Sequence, residues 1–342
     1  MINGRHGGND LAADIELDLS ANLNPLGMPE KARKAVLSCD WEKYPDPYCR
    51  KLRKKLSDSL GIGAEHIVCG NGADDLIYRS VYFLKPRRAV ICAPTFSEYK
   101  KSLLGQDCEI KEHILLPENG FAFTDMIISD IANCDMVILC SPNNPTGRTV
   151  SPQLLERIAA ECLRKGIYLL CDESFIGFTG RADELTAMRI LNERMIVLRS
   201  FTKLYAMAGL RLGYAACGNR AVAEGIASVG QYWSVSTPAQ SAGEAALDDR
   251  EYLRETVSLI RREREYLSGA LMSLGYEVFP SEANYILFRA HEQLGEQLLG
   301  EGILIRSCAD YSGLDGSYFR VAVGSRDINE RLIKAVGRRK DG

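Results

Sequence analysis

Short apolar runs recur through the middle of the chain, at residues 67–69, 89–92, 136–140, 168–171, 195–198 and 212–216. Several are separated by amphipathic stretches of helical length, such as 73–83 and 152–165. Runs that are apolar throughout, rather than alternating, fit strands buried on both faces, with the intervening helices as cover. The pattern predicts an α/β unit with a mostly parallel, mixed sheet. Ahead of it, the first 30 residues are rich in glycine and asparagine, with HGGN at 6–9 and SANLNPLGMP at 20–29, which makes irregular backbone. Helical spacing shows at 29–37 and 49–60, on either side of WEKYPDPY, whose prolines impose an extended turn. A long charged helical region covers 239–274, and YEVFPSEANYILFRA, GILIRSC and YFRVAV then read as strands of a smaller α+β unit. The expected division is an arm at 1–40 packing on the small unit and over the site, a large unit at 41–240 and a small one at 241–342.

Polar chemistry falls where the apolar runs stop: VCGNGADD, VICAPTFSEY, VILCSPNNPTG, YLLCDESF and IVLRSFTK. In open α/β sheets ligands bind at the carboxyl ends of the strands, so five segments nominate one rim. Lys203 follows two hydroxyls, Ser200 and Thr202, and Arg211 lies eight residues on. Hydroxyls and a guanidinium suit a phosphate, and a primary amine beside them suits a Schiff base. Together they are the means of holding pyridoxal 5′-phosphate. The GNG at 70–72 enters a helix at Ala73, where glycine backbone and free N–H groups cradle an anion, although an ordinary strand-to-helix turn reads the same way. Asp74 and Asp75 oppose a dianion there, so a cation is required, and Arg211 can supply it. Phe96 suits stacking on an aromatic ring or a place in the core. Asn144, between Pro142, Pro145 and Gly147, sits in a turn rigid enough to aim an amide at a ring oxygen. Asp172 ends a strongly apolar run and must be buried, so it needs a positive partner, either a protonated ring nitrogen or an internal salt bridge.

The bulk composition narrows the partners. Lysine and arginine total 42 against 45 acids, a net charge of −3, which gives no electrostatic reason to expect nucleic acid or an anionic membrane. Eleven cysteines are scattered singly with no C-x-x-C pair, which fits buried thiols in a reducing cytosol rather than a disulfide frame or a metal site. No signal-like apolar core opens the chain and no run is long enough for a membrane span, so a cytoplasmic protein is expected. His66, His113 and His291 carry no motif and are expected at the surface.

Set together, GNGADD, PTFSEY, SPNNPTG, DESF and SFTKLYAMAGLRLGY resemble the fold-type I pyridoxal-phosphate enzymes, within them the histidinol-phosphate aminotransferase-like branch of the class I/II aminotransferases. The likeness runs nearly end to end in the family's order. It implies that Lys203 condenses with the cofactor, Asp172 meets the ring nitrogen, Asn144 meets the ring hydroxyl and Phe96 stacks. Ser200, Thr202, Arg211 and the Gly72–Ala73 backbone would hold the phosphate. Tyr44, in YPDP, matches a tyrosine that reaches the neighbouring subunit's cofactor, which implies a homodimer with shared sites. The HGGN arm, LDLSANLNPLGMP, QYWSVS and ILIRSCADYSGLDGSYFRVAV resemble the amino acid phosphate decarboxylases of that branch. Phe175 agrees, because the aminotransferases usually have a tyrosine three residues after the aspartate. The substrate contacts implied are His6, Asn22, Arg306 and Arg320, with the two arginines on a carboxylate and a phosphate. The expected reaction is loss of CO₂ from O-phosphothreonine. Histidinol-phosphate-type aminotransfer stays open, as does O-phosphoserine, since a pocket discriminates one methyl by only about 1–3 kcal/mol.

Overall fold

The computed structural model describes residues 7–8 and 14–338. After a short strand in the arm, β1 (Leu17–Asp18), the six apolar runs become β2 (Ile67–Gly70), β3 (Arg88–Ala93), β5 (Met136–Cys140), β6 (Tyr168–Asp172), β7 (Met195–Ser200) and β8 (Gly213–Cys217). They join in one sheet with β4 (Glu109–Ile114), in the order β2-β8-β7-β6-β5-β3-β4. All neighbours are parallel except β8, which is antiparallel to both β2 and β7. The apolar pattern did not reveal β4. Its sequence, EIKEHI, is charged because it closes an edge and keeps one face in water.

Alternate residues of the central strands enter two cores. Val137, Leu139, Leu169 and Val197 pack against Leu154, Leu155 and Ile158 of the helix Pro152–Lys165. Ile138, Leu170, Ile196 and Leu198 pack against Leu76, Ile77 and Val81 of the helix Ala73–Leu84 on the other face. The first helix starts and stops where its sequence says it should. Ser151 caps it by accepting from the Leu154 N–H, Pro152 fills a first-turn position that needs no donor, and Gly166 ends it at φ +72°.

The charged region expected as one helix is two, Thr237–Ala246 and Arg250–Ser273, with Asp249 capping the second. Beyond them, β9 (Glu277–Val278), β10 (Tyr285–Arg289), β12 (Arg306–Ser307) and β13 (Tyr318–Ala322) form an antiparallel sheet in the order β12-β13-β10-β9. The arm joins this part of the molecule. β1 pairs in parallel with β11 (Ile303–Leu304), and Leu19 bridges onward, its N–H to Leu304 and its carbonyl to the Ala322 N–H, both at 2.8 Å. His113 departs from expectation: it is buried on β4 with Nδ1 2.7 Å from Asp130. Among the described residues, no helix is long and apolar enough to cross a membrane.

Candidate active site

The carboxyl ends of β5, β6 and β7 open on one cavity, walled on the other side by β12, β13 and the arm. Asp172, at the end of β6, is 4% exposed. Its Oδ2 accepts from the Tyr99 hydroxyl at 2.7 Å and its Oδ1 from the Ser174 N–H at 2.9 Å. Burial pushes its pKa up, against the pull of Ser174 and Tyr99. Among the described residues no cationic side chain pairs with it, so the internal salt bridge left open above is not what compensates this carboxylate. That need is directed into the cavity.

β7 ends at Ser200, whose hydroxyl lies 2.7 Å from that of Thr202, and the short helix Phe201–Leu204 carries Lys203 to the cavity wall. Burial, reinforced by the charges of Arg320 and Arg211 and opposed by Asp74, holds the lysine amine down at about 8. Arg211 has φ +57°, a left-handed backbone unusual for a side chain of this size. The turn aims its guanidinium at the start of the helix Ala73–Leu84, 3.5 Å from Asp74. Gly72, at φ +86°, leaves room for it, because a Cβ there would stand 2.7 Å from Nη2 of Arg211. The result is a hydroxyl pair, a guanidinium and a helix N-terminus around one small space, the elements of an anion grip.

The turn after β5 contains cis peptides at Ser141–Pro142 and Asn144–Pro145. Asn143 stitches it to the β3 loop through Pro94 and Thr95, and Asn144 is left on the cavity wall with its Oδ1 accepting from Arg320. Phe96 lines the same wall, edge-on to Tyr99, and Phe175 packs edge-on to Tyr285 with centroids 4.9 Å apart. Arg306 and Arg320 close the far side. Among the described residues, Nε of Arg320 and Oδ1 of Asn22, both buried in the lining, have no hydrogen-bond partner. On a cavity wall, such atoms are available to hydrogen-bond a ligand.

Lys203, Ala73, Phe96, Asn144, Asp172, Ser200, Thr202, Arg211, Asn22, Arg306 and Arg320 thus meet at one cavity, with Gly72 directly behind. Tyr44 does not. It is 77% exposed and stacks on Trp233 with centroids 4.2 Å apart, away from the cavity of its own chain. His6 lies outside the described residues. Sequence reasoning missed Tyr99, Ser174 and Tyr311. For Tyr99 a signal existed, since a buried Asp172 needs donors and Tyr99 follows Phe96 by three residues on the next rim segment.

The family model for aminotransferase class I and II matches residues 14–336. The chain belongs to the class I and II aminotransferase family. Within that family, the threonine-phosphate decarboxylase of Salmonella typhimurium is 39% identical, over 98% of this chain and 96% of the relative. A histidinol-phosphate aminotransferase of Archaeoglobus fulgidus is 33% identical, over 94% and 92%. Among solved aminotransferases, the histidinol-phosphate enzyme of Clostridium acetobutylicum superposes with a TM-score of 0.89 at 28% identity, covering 95% of this chain and 99% of its own. The fold-type I architecture expected from the rim motifs is therefore that of the family.

Proposed function

We propose that this chain is a pyridoxal-phosphate-dependent carboxy-lyase of the cytoplasm. It removes CO₂ from L-threonine O-3-phosphate to give (R)-1-amino-2-propanol O-2-phosphate for the cobamide nucleotide loop. The observation that carries the reading is the presence, in one cavity, of a lysine, a buried carboxylate with no cationic partner among the described residues and two buried arginines, in a chain 39% identical to a threonine-phosphate decarboxylase nearly end to end.

Bound here, pyridoxal phosphate supplies a cationic ring into which the electrons of a bond broken at the substrate's α-carbon can flow. Asp172 keeps the ring nitrogen's charge in place, and Tyr99 and Ser174 fix the carboxylate's direction. Ser200, Thr202, Arg211 and the first N–H groups of the helix at Ala73 grip the phosphate, while Phe96 and Asn144 hold the ring face and ring oxygen. Lys203 carries the cofactor. In this reading it also assists the return of one proton to the α-carbon when the carboxylate leaves as CO₂. Arg320 and Arg306 take the substrate's carboxylate and phosphate, and so select the bond held for cleavage. Tyr44, Trp233 and the exposed Tyr48 and Tyr232 form an aromatic face suited to a second copy of the chain, through which Tyr44 would reach the neighbour's cofactor. The arm, large unit and small unit at 1–40, 41–240 and 241–342 are part of the same proposal.

An amine held near 8 rather than 10.5 changes how the cofactor is taken up. At pH 7 roughly a tenth of such an amine is neutral and able to condense with an aldehyde. Reconstitution of cofactor-free protein should therefore accelerate as pH rises through about 8 and then level. Stopped-flow absorbance checks this, and a rate still climbing toward pH 10.5 would mean that Lys203 is an ordinary lysine.

A histidinol-phosphate-type aminotransferase is the second reading, favoured by relatives such as the 33% identical Archaeoglobus protein. Phe175 speaks against it, since it offers no hydroxyl to the ring oxygen. Decarboxylation needs no 2-oxo acid, which separates the two in one assay. CO₂ release from O-phosphothreonine alone is expected, whereas consumption only with 2-oxoglutarate, and no CO₂, would identify an aminotransferase. O-Phosphoserine in parallel reads the selectivity for the methyl group.

A further inference from the structure

Arg306 and Arg320 are direct partners across the antiparallel ladder of β12 and β13. Side chains opposed in this way leave the sheet on the same face with Cβ atoms about 5 Å apart, and like charges placed so repel. Both arginines are buried, at 8% and 5% exposure, so water screens that repulsion poorly. The two are compensated unequally. Arg320 donates to neutral oxygens, Asn144 Oδ1 and the Ser20 carbonyl, and among the described residues no carboxylate pairs with it. Arg306 donates from Nη2 to both oxygens of Asp310 at 2.8 Å and from Nη1 to the Ser307 carbonyl, and its guanidinium lies 5.2 Å from the centroid of the Tyr311 ring. Arg306, Tyr311 and Arg320 line the cavity, whereas Asp310 is outside the lining with its side chain partly exposed. The carboxylate thus holds Arg306 from behind and leaves its front to the cavity.

We propose that Asp310 is a positioning residue for substrate recognition, the counter-charge that keeps Arg306 beside Arg320 before any substrate arrives. Two cationic groups on adjacent strand positions then stand ready for an amino acid carrying a second anionic group close to its carboxylate. The identity of that second group as a phosphate ester rests on the proposed function. The pairing itself does not. Removing the counter-charge frees Arg306 to swing from its neighbour, and ordering it again falls on each binding event.

The test uses the holoenzyme of Asp310→Ala and Asp310→Asn. In the alanine variant KM for O-phosphothreonine should rise about tenfold, the scale of one charge-assisted contact, with kcat within about twofold. Competitive inhibition by inorganic phosphate should weaken in parallel, while binding of unphosphorylated threonine, read from the cofactor's absorbance, should not change. The asparagine variant keeps one acceptor oxygen and should recover part of the loss. If the alanine variant does not fold, the asparagine variant carries the test with a smaller shift in the same direction. Equal loss for phosphorylated and unphosphorylated amino acids, or no loss, would overturn the proposal. Should no CO₂ be released by any variant, the decarboxylase reading fails, and the phosphate and threonine binding series still decides the role of Asp310.

Discussion

Lys203→Ala is expected to lower turnover by about 10³-fold or more while leaving a folded protein that still takes up cofactor. The fold has little to lose at this position. The Lys203 carbonyl accepts from the Asn24 N–H at 3.2 Å, a contact that alanine keeps, and the cap from Ser200 to the Thr202 N–H is untouched. The anion grip also lies elsewhere, on Ser200, Thr202, Arg211 and the helix start, so retention of pyridoxal phosphate should survive. Two measurements separate these effects. CO₂ release reports the chemistry, and borohydride reduction followed by mass measurement reports the covalent link. The parent chain should gain the mass of the cofactor and the variant should not. Activity within tenfold of the parent would remove Lys203 from the centre of the site.

Asp172→Asn should cost about 10²–10³ in kcat, the usual scale for one preorganised electrostatic group. The substitution is close to isosteric, and asparagine can still accept from the Ser174 N–H and meet the Tyr99 hydroxyl. What it removes is the charge that, in the proposed function, faces the ring nitrogen. Stability should move the other way. Burial raises the Asp172 pKa above its ordinary 3.8. The cofactor-free fold is therefore most comfortable with the carboxyl protonated, and loses stability as pH rises through the shifted value. Asparagine does not titrate and carries no such cost. Thermal unfolding of cofactor-free protein should show the variant as stable as the parent or more so, with cofactor affinity reduced. Parent-like kcat in the variant would exclude Asp172 from the electron-sink role.

The sheet was legible because its strands are buried on both faces and so read as unbroken apolar runs. β4 was not, because an edge strand alternates charge with burial, as EIKEHI does. The break between the helices Thr237–Ala246 and Arg250–Ser273 was also hidden, since Asp249 caps the second helix within a stretch whose composition is helical throughout. At the site, legibility followed chain position. Residues at or just past the end of a strand, such as Asp172, Lys203 and Asn144, could be assigned to one rim from topology alone. Tyr99 reaches a partner on another segment, and Asp310 bonds Arg306 from the loop that follows the short strand of Arg306, and no periodicity exposes such pairs. Tyr44 illustrates the opposite case: its motif was readable, yet its place is on an exposed face away from its own cavity.

The stitching of the arm into the small sheet has a consequence for the order in which the molecule can be completed. Ser20 and Arg320 are hydrogen-bonded across 300 residues of sequence, and β1 finds its partner only at Ile303. Contacts this distant are closed late, because the loop entropy must be met before they contribute. During synthesis the arm emerges first and waits for nearly the whole chain. A nascent chain that has passed Cys217 already holds every strand of the large sheet, the lysine at its rim and the Ser20 carbonyl, but neither Arg306 nor the Arg320 that this carbonyl orients. Cofactor capture can therefore precede substrate recognition in the life of a single molecule.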